Sequence, residues 1–349
     1  MNDPYAGLAQ ALDKLPNGFP ATEEGLEIVL LKKIFDPEEA ALAGNLRAAM
    51  EPVDRIAERC GQEVRSIRPR LLRMAKRGLA WFQEREGKPF FRLAPFIVGI
   101  YEAQVQQMDV ELASLFERYM AAGGARGIMT PQPALHRVLP AQNVVKSEWV
   151  LPYDDVRLIL AGAKTFSVRP CICRKEQALL GHPCGYPLEV CLSFSGRERP
   201  PQPEDLSREQ ALALLDRCEE AGLVHTVSNI QEGLGYVCNC CGCCCGILRF
   251  VNELGLASSV AQANYFAVID PNECQGCGIC QERCQVHAIA EAHGVSEVRK
   301  ERCIGCGLCV SGCTHGAARL LPKSAEQVVH PPRDFGQWER DRLRNRGLS

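Results

Sequence analysis

Two stretches, CQGCGICQERC at residues 274–284 and CIGCGLCVSGC at residues 303–313, repeat one pattern, C-x2-C-x2-C-x3-C. The copies match beyond their cysteines: Gly276 and Gly278 recur as Gly305 and Gly307, and Ala288 recurs as Ala317, so the segment is an internal duplication. Three thiols two residues apart on a tight loop reach three irons of one four-iron, four-sulfur cube, while the fourth iron is reached from elsewhere in the chain. The glycines supply positive φ and let backbone amides approach the sulfurs. Zinc is the alternative occupant, but zinc sites are built from CxxC pairs rather than from a three-ligand run with a displaced fourth.

With these motifs the segment from about Tyr265 to Leu321 resembles bacterial-type dicluster ferredoxins. The resemblance covers about a sixth of the chain and implies a small β-α-β-β-α-β unit with low-potential one-electron transfer. It also implies that each fourth cysteine serves the other cube, giving Cys274, Cys277, Cys280 and Cys313 to one cluster and Cys303, Cys306, Cys309 and Cys284 to the second. That family usually places proline after the fourth cysteine, whereas Gln285 and Thr314 stand here. Proline is not a ligand, so its absence alters the stiffness of the turn rather than ligation.

At 349 residues and 46% hydrophobic content the chain is long enough for two or three domains. A formal net charge of -2 gives the whole molecule no electrostatic signature of nucleic-acid binding. Twenty cysteines bunched in cluster-type spacings, with no signal peptide at Met1 to Pro20, argue for metal chemistry over disulfides. No run of about 18 apolar residues occurs, so no membrane insertion and a cytoplasmic location are expected, and oxygen-sensitive clusters suit an anaerobic or strongly reducing setting.

The expected fold class is α+β in three domains: an N-terminal winged-helix-like domain with a long helix (20–122), a linker (123–149), a cysteine-rich iron-sulfur domain (150–260), the ferredoxin-like dicluster domain (261–322) and a charged tail (323–349). In the first, Leu26, Leu30 and Ile34 share a helical face, and Asp36, Pro37 and Glu39 form a capping box. Helices ending at Gly61 and Gly78 precede a wing hairpin, Ala80 to Gln83 and Pro89 to Leu93. The fourth helix carries Arg65, Arg68, Arg70, Arg73, Lys76 and Arg77, a charge suited to DNA phosphates. Pro69 is expected to interrupt it and cut off the turns that would face bases, which favours protein docking. Ile97 to Ala122 reads as one long amphipathic helix. Pro322 to Ser349 reads as a solvated polar tail.

The middle region holds the denser chemistry. Cys171, Cys173, Cys184 and Cys191 precede a helix capped by Ser207 and Gln210, and then Cys238, Cys240, Cys241, Cys243, Cys244 and Cys245 occupy eight residues. Six thiols so close are not packing residues, and one cube does not take six, so the run is expected to serve two centres. Ten cysteines are available and two further cubes would use eight, which leaves the ligand set open. Cys60 and Cys218 stand alone on helices and read as buried apolar residues, and the histidines near cysteines, His182, His287 and His315, read as non-ligands. The layout from Cys171 to Cys245 looks like that of ferredoxin-tailed proteins of anaerobic bacteria, a likeness that implies an electron-transfer partner of larger oxidoreductases.

The sequence contains no nucleophile-base pair, phosphate loop or flavin or nicotinamide fingerprint. The expected function is therefore an electron-transfer protein or subunit with two to four 4Fe-4S clusters, relaying electrons to a redox partner in an oxidoreductase complex. Two alternatives stand beside it: a redox-sensing DNA-binding regulator, and a thiol- or disulfide-active reductase subunit using the 238–245 run.

Overall fold

Local signals build the N-terminal elements. Asp36 accepts from the Glu39 amide at 2.8 Å and the Glu39 carboxylate accepts from the Asp36 amide at 3.2 Å, a reciprocal cap on helix Pro37–Ala43. Such a cap contributes about 1 kcal/mol. Helix Leu26–Ile34 buries Leu26, Leu30, Leu31 and Ile34. Helix Val53–Cys60 ends on Gly61 at φ 61°, a conformation glycine adopts without strain. Strands Ala80–Arg85 and Lys88–Leu93 pair as a hairpin, with Glu51–Pro52 added on the far edge.

The computed structural model describes residues 3–142, 144 and 150–348. It divides into two compact units, one formed by Met1–Pro131, Lys175–His182 and Arg342–Ser349, the other by Gln132–Arg174 and Pro183–Asp341. Mixed helix and sheet, an α+β arrangement, runs through the chain.

Several expectations are corrected. Helix Val64–Lys76 runs through Pro69 without a break, because Ile67, Leu71 and Met74 are buried on one face and packing outweighs one lost backbone hydrogen bond. The expected long helix from Ile97 to Ala122 is broken: Ile97, Val98 and Gly99 are non-helical, and Asp109 accepts from the Leu112 amide at 2.8 Å to start a new helix, Val110–Tyr119. Within the stretch read as linker, Ala125–Met129 is helical and His136–Val138 is a strand; residues 143 and 145–149 lie outside the described residues.

The charged tail is solvated over much of its length but is anchored at Pro331, Trp338 and Arg342, which are buried. It forms helix Phe335–Asn345. In the second unit the Trp338 indole donates to the Ala134 carbonyl at 3.0 Å. In the first, fully buried Arg342 donates to the carbonyls of Pro16, Ile128 and Pro131. Phe335, Trp338, Arg342 and Arg346 recur at helical spacing; Arg342 is buried and Arg346 half-buried because carbonyl oxygens receive their N–H groups.

A seven-stranded sheet organises the second unit, in the order Val260–Ala261, His136–Val138, Val224–Ser228, Tyr236–Cys240, Glu189–Ser195, Thr165–Pro170, Asp205–Leu206. Helix Arg208–Glu220 starts on the Ser207–Gln210 capping box and sets Ala211, Leu214, Leu215 and Cys218 into a core with Val190, Leu192, Val227 and Val237. Cys218 is thus a core residue, whereas Cys60 is half-buried.

The duplicated segment follows the order expected of a ferredoxin. Strand Tyr265–Ile269 pairs antiparallel with Ala318–Pro322, and hairpin Ile289–Ala292 with Val295–Val298 lies between them in sequence. Short helices Ile279–Glu282 and Leu308–Ser311 each start after a glycine at φ 78°.

Candidate iron-sulfur centres

In the duplicated segment two cavities are each lined by four cysteines. Cys274, Cys277, Cys280 and Cys313 line the first, with Ile269, Ile279 and His315 beside them. Cys284, Cys303, Cys306 and Cys309 line the second, with Val286, Ile289 and Leu308. Each cavity thus combines three cysteines of one run with the fourth of the other.

Both cradles suit an inserted cluster. A Cβ at Gly276 would lie 2.4 Å from the Gly294 carbonyl oxygen, and one at Gly305 would lie 2.3 Å from that of Tyr265, so the loops close tightly only with glycine. Backbone amides already aim at sulfur: Ala288 donates to Cys284 Sγ at 3.1 Å, and Ser296 and Ala318 donate to Cys274 and Cys313 Sγ at 3.4 Å. Those contacts to the Ser296 and Gly276 amides hold the Cys274 thiol below its ordinary range. Burial instead pushes Cys306 up to about 12 and Cys309 well above its usual value, so these two thiols lose their protons only with a cation to neutralise them.

The ten cysteines of the middle region separate into a group of six and a group of four. Cys171, Cys173, Cys245, Cys240, Cys238 and Cys191 are neighbours in that order, each thiol shifting the protonation of the next and Cys191 that of Cys171. Strand register explains half of it. Leu192 pairs with Val237, so Cys191 and Cys238 are opposed, and Cys240 shares their face two residues on. The rest comes from helix starts: Cys173 lies in the first turn of Ile172–Leu179 and Cys245 is the N-cap of Gly246–Glu253. Hydrogen bonds from Cys173 and Cys240, with the Leu248 and Ile247 amides, hold the Cys245 thiol well below its ordinary range.

Cys184, Cys241, Cys243 and Cys244 form the second group, with all four sulfurs within 4.8 Å of one another. The two groups interleave at Cys240–Cys241 and at Cys244–Cys245, neighbours in sequence that belong to opposite groups. Hydrogen bonding from Cys244, opposed by burial and helped by the Arg174 charge, brings Cys241 down to about 5.

Arg174 serves both groups. It is 4% exposed, and its guanidinium donates to the carbonyls of Pro187 and Asn239, both at 2.8 Å. Burial opposes its charge, but Cys171 and Cys241 hold its pKa above the usual arginine value. Beside the ring, Thr226 Oγ1 lies 3.5 Å from Cys240 Sγ and 3.3 Å from His136 Nδ1, and His136 Nε2 lies 2.7 Å from the Tyr236 hydroxyl.

Gln285 is the residue whose role the sequence flagged without explaining. It follows Cys284 directly, and its Oε1 accepts from the Gly242 amide at 2.7 Å while Nε2 donates to Tyr186 Oη and the Gly222 carbonyl, both at 2.8 Å. Gly242 lies between Cys241 and Cys243, and Tyr186 lies two residues beyond Cys184. The glutamine therefore ties the loop of the second cavity to the backbone that carries the four-thiol group, a bond set that proline does not make. The signal was the departure from proline itself.

Of the remaining residues considered, His315 lines the first cavity, and His287 takes φ 51° next to the second loop. No helix is long and apolar enough, among the described residues, to cross a membrane.

Comparison with known proteins places residues 266–314 in a match to the 4Fe-4S dicluster domain family model. Neither curated proteins nor solved structures gave a match. The protein therefore contains a 4Fe-4S dicluster domain, whose eight cysteines fit 4Fe-4S cofactors.

Proposed function

We propose that the protein is an iron-sulfur electron-transfer protein that relays low-potential electrons between a donor and a catalytic oxidoreductase partner. The observation that carries this reading is the pair of four-cysteine cavities inside the matched dicluster domain. In this reading Cys274, Cys277, Cys280 and Cys313 hold one cube and Cys284, Cys303, Cys306 and Cys309 the other, while the six-thiol ring holds a further iron-sulfur centre. Bound clusters supply one-electron acceptors; the chain's own residues set how readily they accept, through amide donors to sulfur and through burial. Cys277 is exposed, which gives a redox partner a short route to the first cavity. The protein is read as cytoplasmic and suited to anaerobic conditions. The test is rapid mixing of dithionite-reduced holoprotein with an oxidised low-potential redox protein under anoxia; fast bleaching of its cluster absorption supports the reading, and inertness toward every such acceptor contradicts it.

The order of elements from Val53 to Leu93, two helices and a two-stranded hairpin, supports a winged-helix reading of residues 20–122, used for docking. DNA binding remains a second reading because Arg68, Arg73 and Lys76 are exposed and, among the described residues, make no ion pair. The other three cations are engaged: Arg65 with Glu63, Arg70 with Glu38 at 3.0 Å, and Arg77 with Glu39 at 2.6 Å. A salt-dependent DNA shift lost in Arg68→Ala/Arg73→Ala favours regulation; no shift at low salt removes it.

A further inference from the structure

We propose that Cys184, Cys241, Cys243 and Cys244 bind one tetrahedral divalent metal ion, of the zinc or ferrous class, rather than a cube. The argument is one of size. Four sulfurs around a single ion with metal-sulfur bonds of about 2.3 Å sit about 3.8 Å apart. Four sulfurs that each cap a different corner of a cube are spread to about 6 Å. Here the four lie within 4.8 Å of one another, and Cys243 Sγ lies 3.8 Å from Cys244 Sγ.

The molecule contains its own control. The eight cysteines of the dicluster domain line two cavities four apiece, yet among the described residues no three of them come as close together as this group. Nor, among the described residues, do any three of the six ring thiols. Among the described residues, the Cys184 group alone has the compactness of a mononuclear site.

Its chain geometry agrees. The group takes one ligand from the loop after Pro183 and three from the Cys241–Cys244 turn, the mixed local and distant donor set of a closed structural tetrathiolate. Gly242 and Gln285 fix that turn against the dicluster domain, so an ion here would lock the loops beside two iron-sulfur centres. An S4 tetrahedron accepts zinc or iron, and chemistry alone does not separate them.

The experiment uses the full chain purified without oxygen, wild type and Cys184→Ser, with zinc, iron and acid-labile sulfide counted per chain. Cys184 is half-buried at the margin of the sheet core, and serine is close to it in size, so the substitution changes that packing little. The expected result is loss of about one metal ion per chain with sulfide unchanged. Zinc loss identifies the zinc form; loss of one iron identifies the ferrous form. Loss of about four irons together with four sulfides would overturn the proposal in favour of a cube, and unchanged metal would overturn it in favour of free thiols. X-ray absorption on wild type keeps the test decisive if the variant misfolds. For zinc, or for cobalt(II) substituted into the site, it should give four sulfurs with no metal-metal scattering; a short metal-metal distance for that ion, or the absence of any such ion together with irons and sulfides in equal number, would refute it.

Discussion

Replacing Gln285 with leucine tests whether the dicluster loop and the cysteine-rich turn are one mechanical unit. Leucine approximates the volume but makes none of the three hydrogen bonds, leaving the Gly242 amide, the Gly222 carbonyl and the Tyr186 hydroxyl without their partner. Tyr186 is half-exposed and regains water, so the cost is set by the two backbone groups. Each unmet group costs about 1–3 kcal/mol where water is excluded, and with partial relaxation the local loss is about 2 kcal/mol. Opening of the 238–245 turn would then be roughly 30-fold more frequent. Hydrogen exchange by mass spectrometry on anoxic holoprotein reads this directly in peptides covering 238–245, with peptides from 53–76 as an internal reference. Exchange of that turn within twofold of wild type would show that the glutamine does not hold it, and the clamp would have to be abandoned.

Gly242→Ala should act at the same place by crowding, since the added Cβ would lie 2.0 Å from the Gln285 carbonyl oxygen. We expect a loss of about 1–3 kcal/mol of unfolding free energy, read as a lower denaturant midpoint, and weaker metal retention after desalting. Arg342→Leu should cost about 2–4 kcal/mol, because three carbonyls lose their donor, and should expose the C-terminal helix to limited proteolysis. His136 offers a pH test. Burial, only partly opposed by nearby Cys245, lowers its pKa from 6.5 to about 4, so the unfolded chain binds the extra proton between those values. Its contribution is therefore present above pH 6.5 and lost as pH falls toward 4, up to about 3 kcal/mol, and His136→Gln should flatten unfolding midpoints across that window.

Short-range signals were legible in the sequence. The capping boxes at Asp36 and Ser207 occupy four residues each, and the duplicated cysteine runs carry their own period, so both were readable without tertiary information. The division of the ten middle cysteines was not. It depends on the register that sets Cys191 opposite Cys238 and on the loop that returns Cys184 to the Cys241–Cys244 turn, and neither is encoded in spacing. The tail misled for a different reason. Its arginines and glutamates suggested solvation, while Trp338 and Arg342 are buried because backbone carbonyls accept their N–H groups. The long helix failed at Asp109, where a side-chain cap competes with helix continuation. Gln285 lay between these cases: the departure from proline was visible, but the partner it serves is 43 residues away.

The account rests on electron transfer through the dicluster domain, and a potentiometric titration followed by electron paramagnetic resonance tests it most directly. On anoxically purified full-length protein the account predicts at least two one-electron centres reduced at low potential, with the mutual broadening of neighbouring 4Fe-4S clusters. A protein that takes up no electrons at low potential, or whose only paramagnetic centre is mononuclear, would contradict it.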